Sequence, residues 1–282
     1  MPHIATLPLL LKQLKLSTMA RHWEALLPQA REKGWNGAEY LTALCELELA
    51  ERYSRRIARY AKESQLPAGK SLATFDFTQV PDLLQGQIEA LAGTCDWTAR
   101  ARNLLLFGPS GVGKTHLAAA IGHALVEQGV RVRYFATTAL VQQLQLAREQ
   151  LRLEDALQKL DKYRVVILDD FGYVKKSEQE TRVLFELIAH RYETGSLIVT
   201  SNQPFAEWDR IFPDQMMTVA AVDRLIHHAT IIEVSSDSYR RKQALRYAGG
   251  HPTTTTPAPA TTTPAGPPPP IRDSRPRQPP PT

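Results

Sequence analysis

The chain has 282 residues, room for one sizeable core and a smaller module at roughly 100–200 residues per domain. Its composition, 43% apolar and 22% charged, is that of an ordinary globular protein; with no apolar run near the roughly 20 residues of a membrane span, a cytoplasmic protein with no membrane partner is expected. The net charge of +5 is uneven: residues 1–70 carry 11 Lys/Arg against 7 Asp/Glu, while residues 71–250 carry 20 against 21, so the positive excess lies outside the central region and suggests a polyanionic partner.

The first residues lack the basic n-region of a signal peptide. Cys45 and Cys95 have no metal-like spacing, as expected of two reduced thiols. Residues 1–66 read as a helical N-terminal domain. Leu10, Leu14, Met19, Trp23 and Leu26 recur at near-helical spacing, and Pro28 predicts a break. A second helical run follows Gly37, with an apolar face of Tyr40, Leu41, Leu44 and Leu47. Farther along it, Arg52, Arg55, Arg56 and Arg59 share one face at i, i+3, i+4 and i+7. Two readings stay open for them: a phosphate-tracking surface for DNA, or a solvated face paired with Glu48 and Glu51. Tyr53, Ile57 and Tyr60 lie on another side, where they can pack.

Residues 67–100 have the Pro, Gly and Ser of a linker at their start. Beyond it, residues 101–250 alternate between strand and helix. The strand candidates are 103–107, 130–136, 165–170, 196–202 and 230–234; the helices between them include 114–128, ended by Gly129, and 178–193, ended by Gly195. This order predicts an α/β fold, a parallel sheet with flanking helices.

The stretch GPSGVGKT, residues 108–115, fits the phosphate-loop pattern G-x-x-x-x-G-K-[ST] at every position, between a strand and a helix. Gly108, Gly111 and Gly113 let the backbone turn its N–H groups around phosphates, and the following helix adds the positive end of its dipole. Lys114 suits the β- and γ-phosphates, and the Thr115 hydroxyl suits Mg²⁺. Pro109, Ser110, Val112 and His116 complete the candidate ATP-binding set.

About fifty residues on, VVILDD ends an apolar strand in two carboxylates. Asp169 is expected to serve Mg²⁺ through water, and Asp170 to orient or deprotonate the attacking water. Asn202, at the end of another apolar strand, is either a γ-phosphate sensor or a turn residue. Arg224 either meets the developing charge of phosphoryl transfer in a neighbouring subunit or pairs with Asp223 or a helix end. His227 and His228, being adjacent, are expected to point apart and not to bind metal. Residues 251–282 hold twelve of the twenty prolines and a single large aliphatic, and are expected to be disordered: a dispensable extension or a docking peptide.

Together LLLFGPSGVGKTHLAAAIG, VVILDDFGY, LIVTSNQPFAEW, AVDRLIHHATIIEV and SDSYRRKQAL resemble the AAA+ ATPases, and more closely the IstB-type ATPases of bacterial insertion-sequence transposition. The resemblance covers roughly residues 5–248, including the FDF stretch at 75–77. It implies an ATPase that uses ATP and Mg²⁺, forms homo-oligomers with nucleotide between subunits, binds and bends double-stranded DNA, and recruits a partner transposase of the IstA type. DnaC-like helicase loaders are similar, and imply single-stranded DNA and a replicative helicase as the alternative. On the IstB pattern Asp169 and Asp170 match the Walker B acids, Asn202 matches sensor 1 and Arg224 the arginine finger, presented in trans. The second acid is Asp where Glu is usual, which implies slow hydrolysis. Only about sixteen residues separate the last strand from the Pro-rich tail, which leaves space for no more than a minimal lid.

Overall fold

A computed structural model describes residues 6–80, 83, 85–172, 177–204, 207–208 and 215–234. The residues past the last strand, including the proposed lid and the Pro-rich tail, lie outside that set.

Helix α1 (Leu7–Gln13) and helix α2 (Ser17–Glu32) replace the single run expected from the apolar spacing. The chain turns between them at Lys15, which has φ 57°. Leu16 N–H reaches the Leu11 carbonyl and Lys15 N–H the Lys12 carbonyl, the Schellman pattern that ends a helix. A lysine rather than a glycine holds the left-handed position, so the sequence gives no warning of the stop. Pro28, by contrast, does not break α2. It is exposed within the helix, and so is Glu24, whose carbonyl loses its helical donor.

Helix α3 (Gly37–Ser64) starts at a capping box between Asn36 and Glu39 and ends at Gln65, which is left-handed. Its inward stripe is the half-buried Tyr40 and the buried Leu44 and Glu48, spaced by four; Leu41 and Leu47 on the expected apolar face are exposed. The Tyr40 hydroxyl donates to the Trp23 carbonyl, tying α3 to α2.

The segment after α3 is more structured than a linker. It makes short 3₁₀ turns at Leu72–Thr74 and Phe77–Gln79, and helices α4 (Gln85–Gly93) and α5 (Asp96–Ala99) precede the sheet. Then follow β1 (Asn103–Phe107), α6 (Lys114–Glu127), β2 (Val132–Ala136), α7 (Thr137–Glu149), α8 (Leu153–Gln158), β3 (Val165–Asp169), α9 (Glu178–Arg191), β4 (Ser196–Ser201), α10 (Gln215–Ile226) and β5 (Ala229–Glu233).

All five strands are parallel, in the order β2-β3-β4-β1-β5. Successive side chains leave opposite faces of each strand. Leu104 and Leu106 therefore pack with α4 and α6, together with Ile57 and Tyr60 of α3. Leu105 and Phe107 pack beneath α7, α8, α9 and α10. With both faces covered, β1, β3 and β4 are buried throughout, and each fully buried Leu, Ile or Val contributes about 1.5–3 kcal/mol. The end of α9 departs from expectation in one detail. The left-handed residue after it is Glu193 (φ 57°), not Gly195; at Gly195 a Cβ would lie 2.1 Å from Nη2 of the buried Arg191. That glycine is there for space.

Candidate nucleotide site

β1, β3 and β4 all end at the same edge of the sheet, and the strand order reverses around β1, where parallel α/β sheets place ligands. The phosphate loop leaves β1 there and enters α6 at Gly113, whose φ is 102°. A side chain could not replace this glycine, because a Cβ would sit 2.7 Å from Cε2 of Phe75. Lys114 is buried, and its Nζ donates to the carbonyls of Gly108 and Pro109, each at 2.8 Å. A cleft of about 510 Å³ opens beside the loop, lined by residues 110–116, by Asp170 and, on the opposite wall, by Lys70, Thr74, Phe75, Asp76, Gln79 and Val80.

That opposite wall belongs to the supposed linker. His116 pins it, with Nε2 at 2.9 Å from the Ser71 carbonyl and 3.2 Å from Thr74 Oγ1. Phe75 meets the rings of Phe77 and His116 edge-on, at 4.8 and 5.3 Å between centroids. The aromatic residues of FDF are legible; the wall they build is not, since nothing local says which loop they will face.

The two acids diverge. Asp169 is 4% exposed, and both its carboxylate oxygens accept hydrogen bonds: Oδ2 from the Tyr134 hydroxyl on β2 at 2.6 Å, Oδ1 from the Thr200 hydroxyl on β4 at 2.6 Å. Its backbone carbonyl accepts from the Thr137 hydroxyl at 2.7 Å. Burial first, and then the bond to Asp169, push the Tyr134 phenol well above its usual pKa, so it stays a donor. Asp170 has φ 56°, which turns its exposed side chain into the cleft; its N–H donates to Thr200 Oγ1 at 2.9 Å. Thr200 thus holds both acids at once. Nothing local in the sequence marks Tyr134 or Thr200, and only the neighbouring of β2, β3 and β4 reveals them.

Thr115 and Asp169 offer a hydroxyl and a carboxylate, the hard oxygen donors that Mg²⁺ takes. Each Asp169 oxygen has about two acceptor positions and uses one on a protein hydroxyl, so a carboxylate held in this way fits a hydrated cation.

Asn202 is exposed, one residue beyond Ser201, and Ser201 pairs with Phe107, so Asn202 lies level with Gly108 at the strand tips. Arg224 is not among the described residues lining the cleft. It sits in the last turn of α10, donates to the Ala220 carbonyl at 3.0 Å and stacks over Phe185 at 5.2 Å. Asn103 fixes this helix end by donating to the Leu225 carbonyl at 3.0 Å.

His227 and His228 do not point apart. His228 has φ 63°, which brings the two rings to 3.9 Å between centroids, beside Glu193 and with Tyr192 Oη at 2.7 Å from His227 Nδ1. The group is exposed and lies where β4 and β5 begin, at the end of the sheet opposite the cleft.

The four arginines of α3 divide into two pairs. Arg52 donates to Glu48 at 2.8 Å and to the Lys15 carbonyl at 2.7 Å. Arg55 reaches Thr18 Oγ1 at 3.2 Å and Glu51 at 3.6 Å. Arg56 lies over Tyr53, and Arg59 over Tyr60 with Glu63 at 4.0 Å. Pairing with Glu48 and Glu51 is therefore present, and it falls on Arg52 and Arg55.

Compared with known proteins, residues 9–247 match the model of the family described as IstB-like ATP binding protein. An insertion-sequence ATP-binding protein of Sinorhizobium fredii is 53% identical over 86% of this chain and 81% of its own length. The ATP-binding protein of insertion sequence IS21 from Pseudomonas aeruginosa is 39% identical over 84% of this chain and 89% of its own. Among solved structures, DnaI superposes with a TM-score of 0.51 at 22% identity, over 61% of this chain and 96% of that one. A DNA replication initiation factor gives 0.52 at 17% identity over 66% of this chain; the match spans only 55% of that protein. These likenesses show the fold alone, a parallel sheet with flanking helices.

Proposed function

The chain belongs to the IstB-like ATP-binding protein family, and from that membership we propose that it hydrolyses ATP to control its own assembly on double-stranded DNA. In this reading the assembled protein remodels the target and recruits a partner transposase. The observation that carries it is the placement of Asp170. A protein that only binds nucleotide needs the loop, whereas here a second acid is turned into the same cleft, beside the buried carboxylate of Asp169.

The geometry supports the following roles. The backbone of residues 108–113 and the start of α6 hold the phosphates, and Lys114 exchanges two carbonyl partners for the β- and γ-phosphates. Thr115 and Asp169 hold Mg²⁺, which when bound neutralises phosphate charge. Asp170 takes up the proton of the attacking water, and Asn202 meets the γ-phosphate from the neighbouring strand tip. The base has its place against Phe75 and Val80. Arg224 of a neighbouring copy would complete the site, which makes nucleotide the joint between subunits.

Turnover by the purified protein, with and without duplex DNA, tests this reading. Asp170→Asn should lower turnover by roughly 100-fold or more while ATP-dependent assembly persists. Equal turnover in the two proteins would mean that nucleotide is structural and that the hydrolytic switch is wrong. Duplex DNA should bind more tightly than single strands at one salt concentration. The reverse preference would favour a helicase loader.

A further inference from the structure

We infer that Tyr134 is a positioning residue for the cation, its phenol fixing one oxygen of the Asp169 carboxylate while Thr200 fixes the other. The inference rests on the reading of Asp169 as the Mg²⁺ partner. A carboxylate at a strand end can still rotate about its last torsion. Donors on both flanking strands, β2 and β4, each at 2.6 Å, remove that freedom. The distance is that of an O–H···O⁻ bond to a charged acceptor, about 2.5–2.7 Å and roughly twice as strong as a neutral one.

Packing does not explain the hydroxyl. The Tyr134 ring packs, half-buried, against the apolar cluster on its face of the sheet, and phenylalanine would pack there as well. What tyrosine adds is the bond to Asp169. Without it one oxygen of a 4% exposed carboxylate loses the one protein donor it has among the described residues, and the plane of the group is no longer set. Outer partners of metal-binding groups change metal affinity or activity by roughly 10–100-fold when removed.

The test is Tyr134→Phe in the full chain. Binding of a fluorescent ATP analogue would be followed first in EDTA and then across a MgCl₂ titration, with Mn²⁺ resonance spectra as a second readout. Affinity in EDTA should match wild type, while the Mg²⁺ concentration at the midpoint should rise roughly tenfold, the low end of that range. A midpoint within about twofold of wild type overturns the inference. Should Tyr134→Phe fail to fold, Thr200→Val against Thr200→Ser asks the same of the other donor. Valine should raise the midpoint and serine restore it, and two wild-type midpoints would overturn the clamp. If wild-type binding shows no dependence on Mg²⁺, the assignment of Asp169 falls and the role of Tyr134 with it. A normal wild type with an unchanged Tyr134→Phe removes only the latter.

Discussion

At Gly113 two constraints coincide, a positive φ of 102° and the ring of Phe75 2.7 Å from where a Cβ would be. An L-residue in that backbone region costs about 1–2 kcal/mol before any contact is counted. Gly113→Ala should therefore weaken ATP binding by tenfold or more, 1.4 kcal/mol being tenfold. Phe75→Ala in the same chain should recover part of that loss, since it removes the contact but leaves the strained φ. A double-mutant cycle on nucleotide affinity measures the coupling, and a coupling of zero would mean that Phe75 does not press on the loop. The glycine pattern alone announces a phosphate loop. It says nothing of Phe75, thirty-eight residues earlier, because that contact depends on how the segment after α3 lies across α6. Tyr134 and Thr200 were hidden for the same reason: a hydroxyl in an apolar strand has no signature until its neighbour is known.

At the level of elements, the sequence showed the sheet well and the helical domain poorly. The strands β1, β3 and β4 are apolar runs, and five strands separated by helices permit few other folds. Helix α1 is short and joined to α2 through a left-handed lysine, and the contact of α2 with α3 runs through a buried charge that no apolar pattern marks. Glu48 is 3% exposed and accepts from the N–H groups of Thr18 and Met19, at 2.7 and 3.1 Å, which makes it a cap for α2 supplied by α3. Burial raises its pKa, but the bond from Arg52 and those two N–H groups outweigh it and hold the carboxyl below the usual value. A depressed folded pKa stabilises above the unfolded value and stops doing so as pH falls through the folded one. The junction should thus be intact above the ordinary glutamate pKa of about 4.3 and loosen as pH drops beneath it. Glu48→Ala should loosen it at neutral pH, by about 2 kcal/mol, or roughly thirtyfold in amide exchange at Thr18 and Met19. Exchange unchanged at both amides would show that α2 does not depend on this cap.

For the molecule as a whole, the proposed DNA surface and the nucleotide site can act together only if they move as one body. Helix α3 joins them. Its second half is fastened to the sheet domain by the Tyr53 hydroxyl on the Glu127 carbonyl at 2.7 Å, by Arg131 on Glu63 at 2.8 Å and by Arg133 on the Glu63 carbonyl at 2.6 Å. The arginine face lies along this same helix, but its members are unequal. Arg52 and Arg55 are committed to Glu48, Lys15 and Thr18, so removing them should act like Glu48→Ala, on the helical junction. Arg59 meets Glu63 at 4.0 Å with a side chain 62% exposed, an ion pair of about 0–1 kcal/mol that a DNA phosphate could replace. Arg56 rests on an aromatic face that leaves its charge available. Arg56→Ala with Arg59→Ala should accordingly weaken duplex binding and lower the slope of log K against log salt by about 2, at roughly 0.9 per phosphate contact. ATP affinity and exchange at Thr18 should not change. If Arg52→Ala with Arg55→Ala flattens the slope instead and leaves exchange intact, DNA lies on the junction side of α3. If neither pair alters the slope, the duplex is held by loops of the sheet domain, and α3 serves only to join the two parts.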